Sequence, residues 1–219
     1  MSETILVTGA SAGFGQAICR RLVADGYRVI GSARRIDKLQ ALQEELGEAF
    51  YPLQMDVTDL SQVDHALASL PKDWEKVDVL VNNAGLALGL APAYEAEIAD
   101  WLTMIQTNIV GLTYLTRKIL PQMVERNDGY IINLGSTAGT VPYPGANVYG
   151  ASKAFVKQFS LNLRADLAGK KIRVSNIEPG LCEGTEFSSV RFKGDEKRVE
   201  ALYRGAHAIQ PEDIANTVA

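Results

Sequence analysis

The stretch Ile5-Leu6-Val7-Thr8-Gly9-Ala10-Ser11-Ala12-Gly13-Phe14-Gly15, followed at once by a segment of helical period from Gln16 to Asp25, decides the reading of this chain. A short apolar run before the glycines reads as a buried strand. Gly9 permits the tight turn out of that strand, Gly13 lets the backbone come close to a ligand, and Gly15 lets the start of the helix pack on the strand. Amide N–H groups and the positive end of the helix dipole then face a common point, and the ligand they suit is a diphosphate. The spacing of the glycines alone is weak evidence. The strand before them and the helix after them make it a dinucleotide site.

Outward from this loop the chain alternates short β-rich runs with longer helical segments, the pattern of a parallel sheet covered on both faces. Strands are expected at Thr4–Thr8, Arg28–Ser32, Ala49–Met55, Val77–Asn82, Tyr130–Leu134 and Ile172–Ile177. They lack clean alternation, as strands buried on both sides do. Helices are expected at Gln16–Asp25, Ile36–Leu46, Leu60–Leu70, Ala99–Glu125 and Tyr149–Leu167. Gly26 and Gly47 stand just past two of them, and Asp59 and Asp100 stand near the starts of two others as caps or first-turn acids. With right-handed crossovers these elements build one α/β domain over residues 1–219, a Rossmann-type doubly wound parallel sheet. Residues 181–205 have no sustained period and read as a lid over a site.

Composition sets outer limits. The 219 residues are 47% hydrophobic and 22% charged, with 22 Lys and Arg against 26 Asp and Glu and a net charge of −4. There is no excess of cation to drive nucleic-acid or anionic-lipid binding. No signal peptide or membrane span is visible in the sequence. Two cysteines far apart, Cys19 and Cys182, give no metal spacing and no disulfide framework, so both are expected as free thiols in the cytoplasm. No metal site is expected.

The end of the second strand selects the cofactor. An enzyme that binds NAD needs an acid there to accept from the ribose 2′-hydroxyl, and this chain has Gly31-Ser32-Ala33-Arg34-Arg35. Arg34 and Arg35 can pair with a 2′-phosphate, which favours NADP(H), or form an ordinary solvated pair. Asp56, after the third strand, either accepts from an adenine amino group or caps the next turn.

Several motifs now agree in order: Thr8-Gly-x-x-x-Gly-x-Gly15, Asn82-Asn83-Ala84-Gly85 after the fourth strand, Asn108 in the long helix, Ser136 after the fifth, Tyr149-x-x-x-Lys153, and Pro179-Gly180 after the sixth. On these residues the chain resembles the short-chain dehydrogenase/reductase family from its first strand to its last residue. The resemblance implies an oxidoreductase acting on CH–OH groups, with Ser136, Tyr149, Lys153 and Asn108 as the catalytic group. Expected cofactor contacts are Gly9, Ala10, Ser11, Ala12, Gly13, Phe14, Gly15, Arg34, Arg35, Asp56, Val57, Asn83, Ala84, Gly85, Tyr149, Lys153, Pro179, Gly180 and Thr185. A reductase must deliver a proton to the forming alkoxide, and a free tyrosine of pKa about 10 is a poor match to neutral pH. Lys153, one turn beyond Tyr149, can stabilise the phenolate and reach the nicotinamide ribose. Ser136 would hold the substrate oxygen. By resemblance, Asn108 holds a water that links Lys153 to solvent.

Tyr114-x-x-x-Lys118 repeats the spacing, but no serine-bearing strand end precedes it, so it is read as packing or subunit surface. His65 and His207 are read as surface or packing residues. Within the family the chain most resembles the NADP-dependent 3-hydroxy acid dehydrogenases, over Asn82–Leu90, Gly135–Gly139, Phe159–Arg164, Glu178–Leu181, Gly184–Ser188 and Val190–Asp195. Serine, allo-threonine and 3-hydroxypropionate, with malonic semialdehyde on the reducing side, are the implied substrates. Cys182-Glu183 departs from that pattern, where a small or apolar pair is expected. Ser136, Tyr149 and the lid cations Arg191 and Lys193 are the expected substrate contacts, the cations for a carboxylate. A ketoacyl or sugar reductase, or a non-catalytic NADP-sensing protein, are the rival readings. The family also implies a homotetramer built on the Ala99–Glu125 and Tyr149–Leu167 helices. Gln210-Pro211-Glu212-Asp213 reads as a helix start close to Ala219, so the C-terminal helix and a last strand are expected to be cut short.

Overall fold

Six parallel strands stand in the order β3-β2-β1-β4-β5-β6 in the computed structural model, which describes residues 3–219. They are β1 (Thr4–Thr8), β2 (Arg28–Ala33), β3 (Phe50–Gln54), β4 (Val79–Asn82), β5 (Gly129–Leu134) and β6 (Ile172–Ile177). All six match the expected runs to within two residues at each end. The helices are α1 (Gly13–Ala24), α2 (Ile36–Leu46), α3 (Leu60–Ala68), α4 (Ile98–Ile105), α5 (Leu112–Arg126), α6 (Asn147–Asp166), α7 (Phe187–Arg191), α8 (Glu196–Tyr203) and α9 (Pro211–Val218).

Alternate residues of each strand go to opposite faces, which is why the runs had to be apolar throughout. Ile5, Val7, Val29, Val81 and Ile132 pack with Ile18 and Leu22 of α1, Leu39 and Leu42 of α2, and Ile214 and Val218 of α9. Leu6, Ile30, Leu80, Ile131 and Val174 pack on the other face with Val63 of α3, Leu115, Ile119 and Met123 of α5, and Leu163 of α6. Each such side chain contributes about 1.5–3 kcal/mol through burial. The chain reverses winding direction between β1 and β4, and the crevice beyond their carboxyl ends is where an open α/β sheet takes its ligand.

Two local features differ from expectation. The single helix Ala99–Glu125 is α4 and α5 joined by a π-helical turn, Gln106–Gly111. One extra residue there rotates the helix, and Asn108 within it bonds to Leu86 and to Ser152 of α6. Residues 181–205 are not irregular throughout but carry α7 and α8, and they are closed off by a bridge between Cys182 and Ile209. The helix start expected at Gln210-Pro211-Glu212-Asp213 is there, and the eight-residue α9 follows from it. Its start is a reciprocal cap in which the Gln210 N–H donates to Asp213 at 2.9 Å. Asp59 caps α3 by accepting from Gln62 N–H at 3.0 Å, and Asp100 is a first-turn acid of α4.

Candidate active site

The glycine loop closes tightly on the crevice. Gly9 has φ +69°, a left-handed conformation that disfavours side chains. A Cβ on Gly15 would lie 2.2 Å from the Gly9 carbonyl oxygen, so the helix start can pack there only without a side chain. Ala12 leads into α1 in extended conformation and no side chain caps the helix. Its first-turn amides therefore face the crevice without a protein acceptor, the arrangement a diphosphate fits. Thr8 ties β1 to the turn after β4. Its hydroxyl accepts from Asn83 N–H at 3.0 Å and Ala84 N–H at 2.9 Å, while the Asn83 amide donates to the Thr8 carbonyl at 2.8 Å.

At the end of β2, Arg34 is exposed and Arg35 is half-exposed. The Arg35 guanidinium donates to the Ser11 hydroxyl of the glycine loop at 3.1 Å and to Glu186 at 2.8 Å. Lys38 donates to the same carboxylate at 2.9 Å. These two cations hold the Glu186 carboxyl down to about 2, well below its ordinary range. Lys38 was not among the expected contacts, and its spacing of three from Arg35 on the first turn of α2 is the signal that would have found it. Asp56 takes the turn-capping alternative with one oxygen, which accepts from the Thr58 amide at 2.9 Å and the Thr58 hydroxyl at 2.8 Å. Val57 is half-buried beside the π turn, where its carbonyl would lie 2.7 Å from a Cβ on Gly111.

Ser136, Tyr149 and Lys153 come together at the carboxyl edge of β5. Ser136 heads the short turn Thr137–Gly139 and is buried; its hydroxyl accepts from Ala138 N–H at 3.2 Å and donates weakly to the Pro179 carbonyl at 3.4 Å. That contact brings Pro179, with exposed Gly180 after it, to the site. Tyr149 and Lys153 lie one turn apart on α6, each only 7% exposed. Burial pushes the Tyr149 phenol above its ordinary value, with a hydrogen bond from Ser136 and the charge of Arg191 opposing. Burial lowers Lys153 to about 8. The expected lowering of the phenol by Lys153 is not met here. The ammonium lies 6.0 Å from the Tyr149 ring centre and donates to the Leu134 carbonyl at 2.7 Å, so desolvation dominates.

Asn108 clamps the Asn82–Gly85 turn from the π-helical segment. It accepts from Leu86 N–H at 2.9 Å and donates to the Leu86 carbonyl at 2.9 Å and the Ser152 hydroxyl at 3.0 Å. A Cβ on Gly85 would lie 3.3 Å from the Asn108 side-chain oxygen and 3.4 Å from the Lys153 ammonium, so both polar groups border this glycine.

The segment over the site divides the two cations expected to hold a carboxylate. Arg191 points inward and is buried, its guanidinium carbon 5.5 Å from the centre of the Tyr149 ring and 5.4 Å from that of Tyr143. Its Nε donates to the Gly89 carbonyl at 3.1 Å, while Nη2 is buried with no partner in the protein. Lys193 instead is paired with Asp100 at 2.8 Å. A cavity of about 480 Å³ borders Arg191, lined also by Gly89, Trp101, Asn147 and Phe192. Thr185 lies over the glycine loop, its side chain 3.2 Å from where a Cβ on Gly13 would stand. The departing pair Cys182-Glu183 anchors the base of this segment: the Cys182 carbonyl accepts from Tyr203 at 2.6 Å, and the Glu183 carboxylate from Gln210 at 2.8 Å.

The other candidates fall outside. Tyr114 and Lys118 both grip Asp64 of α3, at 2.9 and 2.7 Å, which is the packing role expected of that pair. His65 and His207 are exposed. Among the described residues no three His, Cys, Asp or Glu side chains cluster as a metal would need, and no helix is long and apolar enough to cross a membrane.

Known proteins are similar to this chain along nearly its whole length. The short chain dehydrogenase family matches residues 3–196. A probable NADP-dependent dehydrogenase of Haemophilus influenzae is 61% identical, over 99% of this chain and 86% of its own length. The NADP-dependent 3-hydroxy acid dehydrogenase YdfG of Escherichia coli O6:H1 is 58% identical, over 98% and 86%. Among solved structures, the closed form of a serine dehydrogenase complexed with NADP+ superposes with a TM-score of 0.97 at 57% identity, over 98% of this chain and 87% of that one. The ordered motifs, the sheet order and the Ser136, Tyr149 and Lys153 cluster thus have one origin: the chain belongs to the short-chain dehydrogenase family.

Proposed function

We propose that this chain is an oxidoreductase that transfers hydride between NADP(H) and a short 3-hydroxy acid of the serine, allo-threonine or 3-hydroxypropionate class, with malonic semialdehyde as a substrate in the reducing direction. The observation that carries the substrate class is the buried, unpartnered Nη2 of Arg191 beside Tyr149. A buried guanidinium nitrogen left without an acceptor is costly, and a carboxylate is the acceptor that suits it best. The names of the relatives support the same class.

When bound, the dinucleotide supplies or accepts the hydride. The residues of this chain do the rest. Gly9, Gly13, Gly15 and the uncapped start of α1 receive the diphosphate, aided by the backbone of Ala10, Ser11, Ala12 and Phe14. Arg34, Arg35 and Lys38 receive the 2′-phosphate, Asp56 and Val57 flank the adenine, Thr185 closes over the diphosphate loop, and Asn83, Ala84, Gly85, Pro179 and Gly180 line the nicotinamide half. Tyr149 exchanges a proton with the substrate oxygen and Ser136 hydrogen-bonds that oxygen. Lys153, charged below about pH 8, favours the phenolate once it is no longer held on Leu134 alone. Asn108 holds the turn that carries Gly85 and borders the Lys153 ammonium, as a proton relay requires. Residues 181–205 act as the lid.

The apolar side chains Ile98 and Leu102 on α4 and Phe155 and Leu161 on α6 are exposed and support a homotetramer built through those helices. The two free, buried cysteines support a cytoplasmic protein. NADP+ reduction is to be measured with serine, allo-threonine, 3-hydroxypropionate and 3-hydroxybutyryl thioesters. The expected result is turnover of the free acids and little of the thioesters; the reverse order would replace this reading with a ketoacyl reductase.

A further inference from the structure

We propose that Glu186 is an internal occupant of the 2′-phosphate subsite, a carboxylate that neutralises Arg35 and Lys38 until the cofactor phosphate displaces it, and so sets the affinity for NADP(H). This inference rests on the reading of that subsite given above.

Glu186 reaches the subsite from the lid, whereas Arg35 and Lys38 belong to the junction of β2 and α2. Its two oxygens meet two separate cations, at 2.8 and 2.9 Å, and Arg35 is steadied from behind by the Ser11 hydroxyl of the glycine loop at 3.1 Å. A carboxylate on a guanidinium and an ammonium has the shape and charge of the interaction that a phosphate makes with the same groups. All three side chains are partly exposed, between 42% and 48%, so the pair is open to exchange. Neighbouring Thr185 lies against Gly13, so this one stretch of the lid touches the diphosphate loop and the 2′-phosphate cations together.

A phosphate monoester carries close to two charges at neutral pH and pairs with two cations better than one carboxylate does. It also repels a carboxylate left beside it. Arrival of the 2′-phosphate therefore frees Glu186 and the lid stretch that bears it, while a cofactor with a 2′-hydroxyl gives no cause for release. Glu186 thus lowers the affinity for NADP(H) in the uncomplexed protein and links occupancy of the subsite to lid position.

The test is equilibrium binding of NADPH, NADH, 2′,5′-ADP and 5′-AMP to the unaltered protein, Glu186→Gln and Glu186→Ala. The expected result is NADPH and 2′,5′-ADP binding about fivefold tighter to both variants, the scale of a partly exposed ion pair, with no tightening of NADH or 5′-AMP. Unchanged or weaker NADPH binding by the variants of a protein that prefers NADPH would overturn the inference and make Glu186 a fixed support for Arg35. Equal binding of NADPH and NADH by the unaltered protein would overturn the 2′-phosphate reading itself, and this inference with it.

Discussion

Replacing Arg191 with alanine separates recognition of the carboxylate from closure of the lid. The side chain makes one bond in the protein, from Nε to Gly89, and leaves Nη2 for the substrate. A hydrogen bond to a charged group contributes about 1.5–3 kcal/mol, so its loss should lower kcat/KM for 3-hydroxypropionate roughly tenfold to 150-fold. Loss of the Gly89 bond, about 1 kcal/mol, should lower turnover of any substrate roughly fivefold. The assay is therefore a comparison of two substrates, 3-hydroxypropionate and 1,3-propanediol, which replaces the carboxylate with a neutral hydroxymethyl group. The diol should show only the smaller loss, so that the preference for the acid collapses in the variant. Arg191→Lys, which keeps a charge without the fork, should recover part of it. Equal losses for acid and diol would take the carboxylate away from Arg191 and reduce it to a lid fastener.

Two further outcomes follow from charge and burial. Replacing Arg34 and Arg35 together with alanine should weaken NADPH by about tenfold to a hundredfold while NADH changes little, two charge-assisted contacts being lost from one cofactor only; equal weakening in a binding titration would remove the 2′-phosphate from that site. Lys153→Met should abolish turnover yet stabilise the uncomplexed protein at pH 7. A lysine lowered from 10.5 to about 8 destabilises the fold by up to roughly 3 kcal/mol while it is charged in both states. Because the unfolded chain binds the extra proton between those values, stability of the unaltered protein rises with pH across that window. The advantage of the variant in urea unfolding should therefore shrink from pH 8 and vanish near pH 10.5; an advantage independent of pH would place its origin in packing.

The sheet was legible because buried parallel strands must be apolar on both faces, and runs such as Ile5-Leu6-Val7 and Val79-Leu80-Val81 have no other home. The glycine loop was legible because a tight strand-to-helix turn needs glycine at fixed places, and the meeting of Tyr149 with Lys153 because residues four apart share a helix face. The π turn at Gln106–Gly111 was not, since one extra residue in a long helix shifts the apolar period without interrupting it. Helix α8 was missed because it buries no residue and so carries no apolar stripe. The contact of Lys38 with Glu186 joins residues 148 apart, and that of Arg191 with Gly89 residues 102 apart. No local pattern encodes such pairs. The same holds for Lys193, whose partner Asp100 lies on α4. The direction of the Tyr149 shift also depends on tertiary burial, which outweighs the Ser136 hydrogen bond and the charge of Arg191.

On the proposed mechanism Tyr149 moves the proton at the alcohol oxygen of a 3-hydroxy acid oxidised with NADP+. Its most direct test is the initial rate of NADPH formation from 3-hydroxypropionate by the unaltered protein and by Tyr149→Phe, with NADPH binding titrated in both. The expected result is ready turnover by the first, a loss of about a thousandfold or more in kcat for the second, in the range of general acid–base catalysis, and nearly equal NADPH affinity. Comparable turnover by the phenylalanine variant would contradict it.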